Sequence, residues 1–184
     1  HDYAMKPADA SALQEADLIF WIGPELETFL QTPIAALGVN AGAVTLEDTE
    51  GLTKRAPREG GAFEAHEEDA HEGEESDPHI WLDPANARLM VGRIEQALSA
   101  ADPANSAAYK TNADVTAAKL DALQTEIAAL LAPVKDKPFI TFHDAFQYFE
   151  KRFGVEASGS VTVNPGTAPG AARIAELRAK VKEL

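Results

Sequence analysis

Asp17-Leu18-Ile19-Phe20-Trp21-Ile22, closed by Gly23-Pro24, is the stretch on which the fold turns. It is an uninterrupted apolar run, too short for a helix and lacking the polar alternation of a half-exposed strand. A run of this length between turn residues suits a strand buried on both faces, as in a parallel sheet. Such a strand needs helices to cover it, and the flanking sequence supplies them. Upstream, Lys6-Pro7 leads into Ala8 to Ala16, a helix with proline in its first turn. Downstream, Glu25 to Leu37 places Leu26, Phe29, Leu30 and Ile34 on one helical face, and Val44-Thr45-Leu46 follows as a short second strand. The alternation predicts an α/β fold with a parallel sheet.

The pattern recurs after a break. Residues 50–77 hold four glycines and one proline without apolar periodicity, which predicts a long functional or disordered loop. Pro84 opens a helix through Ile94, Ala97 and Leu98. From Ala104 to Leu131 there is no Gly or Pro, and Leu120, Leu123, Ile127, Leu130 and Leu131 recur at helical steps. This predicts one amphipathic helix about 40 Å long, longer than one lobe needs and able to connect two. Pro138 to Phe142 then reads as a strand, and Asp144 to Phe153 as a helix with Phe146, Phe149 and Phe153 inward and Gly154 as its C-cap. Val155 to Val163 reads as extended and Pro169 to Leu184 as a last helix. The expected organisation is an amino-terminal lobe over 1–103 carrying the loop 50–77, a connecting helix over 104–133, and the start of a second lobe over 134–184. Both lobes are parallel-sheet α/β, the second incomplete. The chain also begins and ends between elements, so both ends read as cut from a longer polypeptide.

The composition narrows the function. A formal charge of −14 opposes direct binding to nucleic acid or to an anionic membrane surface. The longest apolar run is far too short to insert into a bilayer. Eight of the carboxylates lie between Glu64 and Asp77, a stretch with no Lys or Arg. There are no cysteines, so thiolate metal sites and cysteine nucleophiles are excluded and soft-metal chemistry falls to histidine. No GxGxxG, Walker A, GxSxG or HExxH motif is present.

Five histidines remain: His1, His66, His71, His79 and His143. His1 precedes the first helix, His79 lies between the acidic loop and a helix, and His143 stands where a strand gives way to a helix. Ligands gather at such strand ends in parallel folds, so the three can converge on one ion. Imidazole suits Zn²⁺, which takes about four ligands at roughly 2.0–2.1 Å. The competing reading is ordinary polar surface, since the spacings match no short metal motif. His66 and His71, with Glu67, Glu68, Asp69 and Glu72, read either as a multivalent cation collector or as a solubilising loop. The residues alone leave both pairs of readings open.

The ordered sequence His1-Asp2-Tyr3-Ala4-Met5-Lys6-Pro7, Ala16 to Glu27, the acidic histidine-bearing loop, His79-Ile80-Trp81-Leu82-Asp83-Pro84, Thr141 to Glu150 and Thr162 to Gly166 resembles the zinc receptors of ABC importers, the ZnuA family of cluster A-I solute-binding proteins. The resemblance covers the whole chain. It implies two α/β lobes joined by a rigid helix, with zinc held by His1, His79 and His143 and the acidic loop as a sparse version of the family's histidine-rich loop. Related manganese receptors carry a carboxylate where His143 stands. The resemblance further implies a periplasmic, non-enzymatic monomer that gives zinc to a membrane permease, with a fourth ligand supplied from outside this chain, by water or by the loop. The rival is a zinc hydrolase or lyase, since three histidines and a water also make a catalytic zinc site.

Overall fold

A computed structural model describes residues 3–38, 41–58, 63, 76–162 and 169–183. The chain forms two compact units, and neither is contiguous: one comprises His1–Thr53 with Pro84–Gln124, the other Lys54–Asp83 with Thr125–Leu184. The continuous lobe expected over 1–103 is therefore interrupted, because residues 54–83 pack with the carboxy-terminal elements. The reason lies in hydrogen bonds to positions beyond 140, described below.

In the first unit, helix α1 (Pro7–Glu15) precedes strand β1 (Leu18–Trp21), and α2 (Thr28–Leu37) leads to strand β2 (Gly42–Thr45). The strands pair in parallel, Leu18 opposite Gly42 and Trp21 opposite Thr45. Ile19, Trp21, Val44 and Leu46 are buried, and the indole N–H of Trp21 donates to Thr45 Oγ1 at 3.0 Å. Helix α2 starts three residues later than the sequence suggests. The Glu27 carboxylate reaches back to the N–H groups of Ile22 and Gly23, at 2.8 and 3.2 Å, and so holds residues 23–27 in a turn. At Gly23 a Cβ would lie 2.2 Å from the Glu47 carboxyl carbon, so any larger residue there would displace the Glu47 side chain.

Helices α3 (Pro84–Ala101) and α4 (Ser106–Leu131) follow, joined at Asp102. Asp102 accepts hydrogen bonds from Asn105 Nδ2 and the Tyr109 hydroxyl, at 2.6 and 2.9 Å. The Asn105 bond first, then the Tyr109 bond, holds its carboxyl below the ordinary 3.8. Because the folded value is depressed, the stabilisation is present above 3.8 and lost as pH falls through the folded value. Asp102→Asn should therefore flatten the acid limb of a melting-temperature profile below pH ~4, where wild type declines; an unchanged limb would show that this turn carries no pH-linked stability.

The long helix is continuous as expected, but its apolar stripe is not buried. Leu130 is 66% exposed and Leu123 44% exposed, whereas Leu120, Ile127 and Leu131 are half-covered. Among the described residues, nothing packs along the whole stripe. No helix of the described residues is long and apolar enough to cross a membrane.

In the second unit, strand β3 (Thr141–His143) pairs in parallel with β4 (Ser160–Thr162), Thr141 opposite Ser160 and His143 opposite Thr162. Between them lies α5 (Gln147–Phe153), and α6 (Ala171–Glu183) follows. Helix α5 begins later than predicted because the Ala145 N–H folds back onto the His143 carbonyl at 3.0 Å. Phe146 consequently precedes the helix and is 40% exposed rather than inward. The inward positions are Tyr148 and Phe153, with the Phe149 ring 4.7 Å from that of Phe153. Gly154 is the expected left-handed C-cap, at φ 65°, its N–H bonded to the Glu150 carbonyl.

Candidate metal centre

His143 ends β3, where its pairing with Thr162 and the Asp144 N–H to Thr162 carbonyl bond fix the strand's exit. His79 stands before a 3-10 turn, Ile80–Leu82, whose Ile80 is almost wholly buried. The two imidazoles meet edge to face, ring centroids 5.2 Å apart and planes at 71°, with Nε2 of one 3.3 Å from Nε2 of the other. Trp81 lies beside His79 at 5.5 Å between centroids.

The local sequence Asp77-Pro78-His79 explains the pose of His79. Pro78 has no N–H, so the Asp77 carboxylate turns to the next donor along, the His79 N–H, at 2.9 Å. The same oxygen lies 2.7 Å from His79 Nδ1. The other carboxylate oxygen accepts from Gln147 Nε2 at 2.7 Å, and the Asp77 carbonyl accepts from the Tyr148 hydroxyl at 2.9 Å. Asp77 is itself buried.

Residues 54–58 belong to the same network. The Asp77 N–H donates to the Arg55 carbonyl at 2.8 Å, the Arg55 N–H donates to the Tyr148 hydroxyl at 2.9 Å, and Gln147 Nε2 donates to the Ala56 carbonyl at 2.9 Å. Both stems of the acidic stretch are thus tied to the start of α5. Arg58 adds a charged clamp. Its guanidinium donates to Asp144 through Nε at 2.9 Å and through a second nitrogen, and to both oxygens of Glu150 at 2.7 and 3.0 Å. The Phe63 ring covers the guanidinium carbon at 3.9 Å. Glu150 is 1% exposed and also accepts from the Ala157 N–H. Burial raises the Asp144 carboxyl above its ordinary value, and the Arg58 fork works against that rise. Arg58 is in turn held above its own ordinary value: burial opposes its charge, but Asp144 and Glu150 outweigh it. Further along, Arg152 grips Asp83 through two bonds of 2.6 Å, tying the turn after His79 to α5. Residues 147, 148, 150 and 152 of this one short helix therefore hold, directly or through Arg58, the backbone around both histidines.

Of the residues singled out from sequence, His79 and His143 are brought together. His1 lies outside the described residues, as do His66, His71, Glu67, Glu68, Asp69 and Glu72. The segment following His1 is anchored: the Tyr3 hydroxyl and the Lys6 N–H both donate to Asp9 at 2.8 Å, and the Tyr3 ring meets Phe29 at 5.3 Å. Among the described residues, no group of three or more His, Asp and Glu is gathered as a metal site. In the sequence Asp77 closes the acidic run and opens the segment that carries His79, with no role of its own, and Arg58, Gln147 and Tyr148 do not stand out. The Asp-Pro-His spacing was the available signal for Asp77; nothing local marked the others.

The 3.3 Å contact is a hydrogen-bond distance, and it is also a distance that a shared metal ion accepts. Two ligands at roughly 2.0–2.1 Å from a tetrahedral Zn²⁺ are about 3.3 Å apart. The Nε2 atoms of His79 and His143 stand at that separation, 3.3 Å. They fit one edge of a zinc tetrahedron.

Comparison with known proteins places the chain. The profile of the ZnuA family, described as zinc-uptake complex component A periplasmic, matches residues 1–184. The High-affinity zinc uptake system protein ZnuA of Brucella abortus (strain 2308) is 48% identical over 213 residues, covering 100% of this chain and 64% of that protein. Its namesake from Paracoccus denitrificans (strain Pd 1222) is 33% identical, covering 100% and 63%. Among solved structures, a crystal structure of ZnuA is similar with a TM-score of 0.80 at 27% identity, covering 100% of this chain and 65% of that one. The periplasmic zinc binding protein TroA from Treponema pallidum gives 0.79 at 25% identity, covering 98% and 61%. The chain thus spans less than two thirds of the length of these relatives. On its sequence over all 184 residues, and on a fold shared with these structures, it belongs to the ZnuA family of zinc-uptake components.

Proposed function

We propose that this chain is the metal-capturing part of a periplasmic zinc receptor, which takes Zn²⁺ onto histidine nitrogens and passes it to the membrane permease of an ABC importer. The observation that carries the reading is the 3.3 Å spacing of the His79 and His143 Nε2 atoms, the edge length of a tetrahedral zinc site. Relatives named for high-affinity zinc uptake support zinc as the cargo. In this reading His1 is the third ligand. His66 and His71, with Glu67, Glu68, Asp69 and Glu72, concentrate the cation nearby, and water or a group outside the chain completes the shell. Three imidazoles favour zinc over the harder manganese. The role needs binding and release rather than turnover, so the protein is a receptor rather than a hydrolase or lyase, and it acts as a monomer.

Capture requires neutral imidazoles, so affinity should fall as the solution is acidified and protons compete for the same nitrogens. Calorimetric titration of the metal-free chain with Zn²⁺, with and without excess Mn²⁺, tests the proposal. Tight binding near one equivalent, undisturbed by manganese, is the expected result. Weak binding at several sites would reduce the chain to its acidic loop and overturn the receptor reading.

A further inference from the structure

We propose that Asp77 is the positioning residue of the histidine pair: it fixes His79 in the tautomer that presents Nε2 to the metal, and Gln147 and Tyr148 hold Asp77 in place for that task. The inference rests on the receptor reading for its consequence in zinc affinity, whereas the tautomer itself follows from geometry alone.

An ionised carboxylate only accepts hydrogen bonds. Asp77 is buried, and its two oxygens meet three nitrogens: the His79 backbone N–H at 2.9 Å, His79 Nδ1 at 2.7 Å and Gln147 Nε2 at 2.7 Å. The first and third are donors by necessity. For the short Nδ1 contact to be a bond, Nδ1 must carry the proton. A neutral imidazole protonated on Nδ1 carries its lone pair on Nε2, the nitrogen that faces His143 across 3.3 Å. A carboxylate behind a histidine also fixes the ring's direction.

The carboxylate cannot swing away. The Gln147 amide nitrogen reaches Asp77 Oδ2 and the Ala56 carbonyl together, at 2.7 and 2.9 Å. The Tyr148 hydroxyl donates to the Asp77 carbonyl and accepts the Arg55 N–H. The Asp77 N–H closes onto the Arg55 carbonyl. Asp77 is thus the residue where the acidic stretch returns and the residue that aims the ligand.

The test uses ¹⁵N-histidine-labelled protein, metal-free, at a pH where the imidazoles are neutral. Long-range ¹H–¹⁵N correlation spectra should show His79 protonated on Nδ1. An Nε2-protonated His79 in wild type would overturn the proposal with no variant needed. In Asp77→Asn, of nearly the same shape, His79 should become a tautomer mixture and the affinity for Zn²⁺ should drop about 10- to 100-fold, the usual cost of losing such a partner. An Asp77→Asn protein with an unchanged near-ultraviolet circular dichroism spectrum and unchanged zinc affinity would also overturn it. Gln147→Met, which leaves the carboxylate present but loosens it, should give a smaller loss in the same direction. Absence of zinc binding in wild type would defeat the receptor reading and leave the tautomer result standing on its own.

Discussion

Arg58→Met is expected to destabilise its unit by about 3–5 kcal/mol, the loss typical of breaking a buried ion pair from one side. The magnitude follows from what remains. The Asp144 side chain is mostly covered and Glu150 is almost completely buried, and Arg58 bonds both. Met fills similar space but offers neither charge nor donors, so two carboxylates are left in a site of low dielectric. The sign with pH is definite. Burial already raises the Asp144 carboxyl above its ordinary value, and without Arg58 nothing named here opposes that rise. A carboxyl whose folded value exceeds its unfolded one loses stability as pH climbs between the two and regains it on acidification. Urea denaturation of Arg58→Met should therefore show a smaller deficit at pH 5 than at pH 7, and adding Glu150→Gln should recover part of the loss. A deficit below ~1 kcal/mol at both pH values would mean that the pair is worth no more than a surface one. The same clamp stands next in sequence to His143, so the variant should also bind zinc less well than its residual stability alone would predict.

The clamp is built from partners far apart in the sequence. Arg58 meets Asp144 and Glu150 across 86 and 92 residues, and Arg55 meets Tyr148 across 93. Local periodicity carries no information about such partners. They explain why residues 54–83 join the carboxy-terminal unit instead of extending the amino-terminal lobe. Elements governed by local physics were legible. The apolar run at Leu18–Trp21 is a parallel strand, Gly154 takes the left-handed cap, and the stretch without Gly or Pro is one helix to Leu131. The failures are failures of tertiary context. Leu123 and Leu130 have helical spacing yet stay exposed, and Phe146 falls outside its helix because the chain turns back at His143. Two members of the candidate site, His79 and His143, are legible as histidines at element ends. The residue proposed to aim one of them, Asp77, closes a run of eight carboxylates that reads, as a whole, as a cation-collecting or solubilising loop.

His143→Ala should lower the affinity for Zn²⁺ by on the order of 100-fold or more, beyond the 10- to 100-fold usual for losing an outer partner of a ligand. In the proposed receptor His79 and His143 would supply one edge of the tetrahedron, and a water that replaces one imidazole is a weaker donor for zinc and is not held by the strand. The fold should hardly change, because His143 is only partly buried at the end of β3, where the backbone pairing with Thr162 survives any side chain. Thermal melting of the metal-free variant near the wild-type temperature would confirm that the loss belongs to the site. His143→Asp separates ligand chemistry from ligand number. It restores a donor of harder character, so zinc affinity should stay below wild type while Mn²⁺ competes more strongly than it does in the parent. If His143→Ala binds zinc as tightly as wild type, the 3.3 Å pair is a histidine–histidine hydrogen bond and nothing more, and the metal must sit on the acidic stretch around His66 and His71.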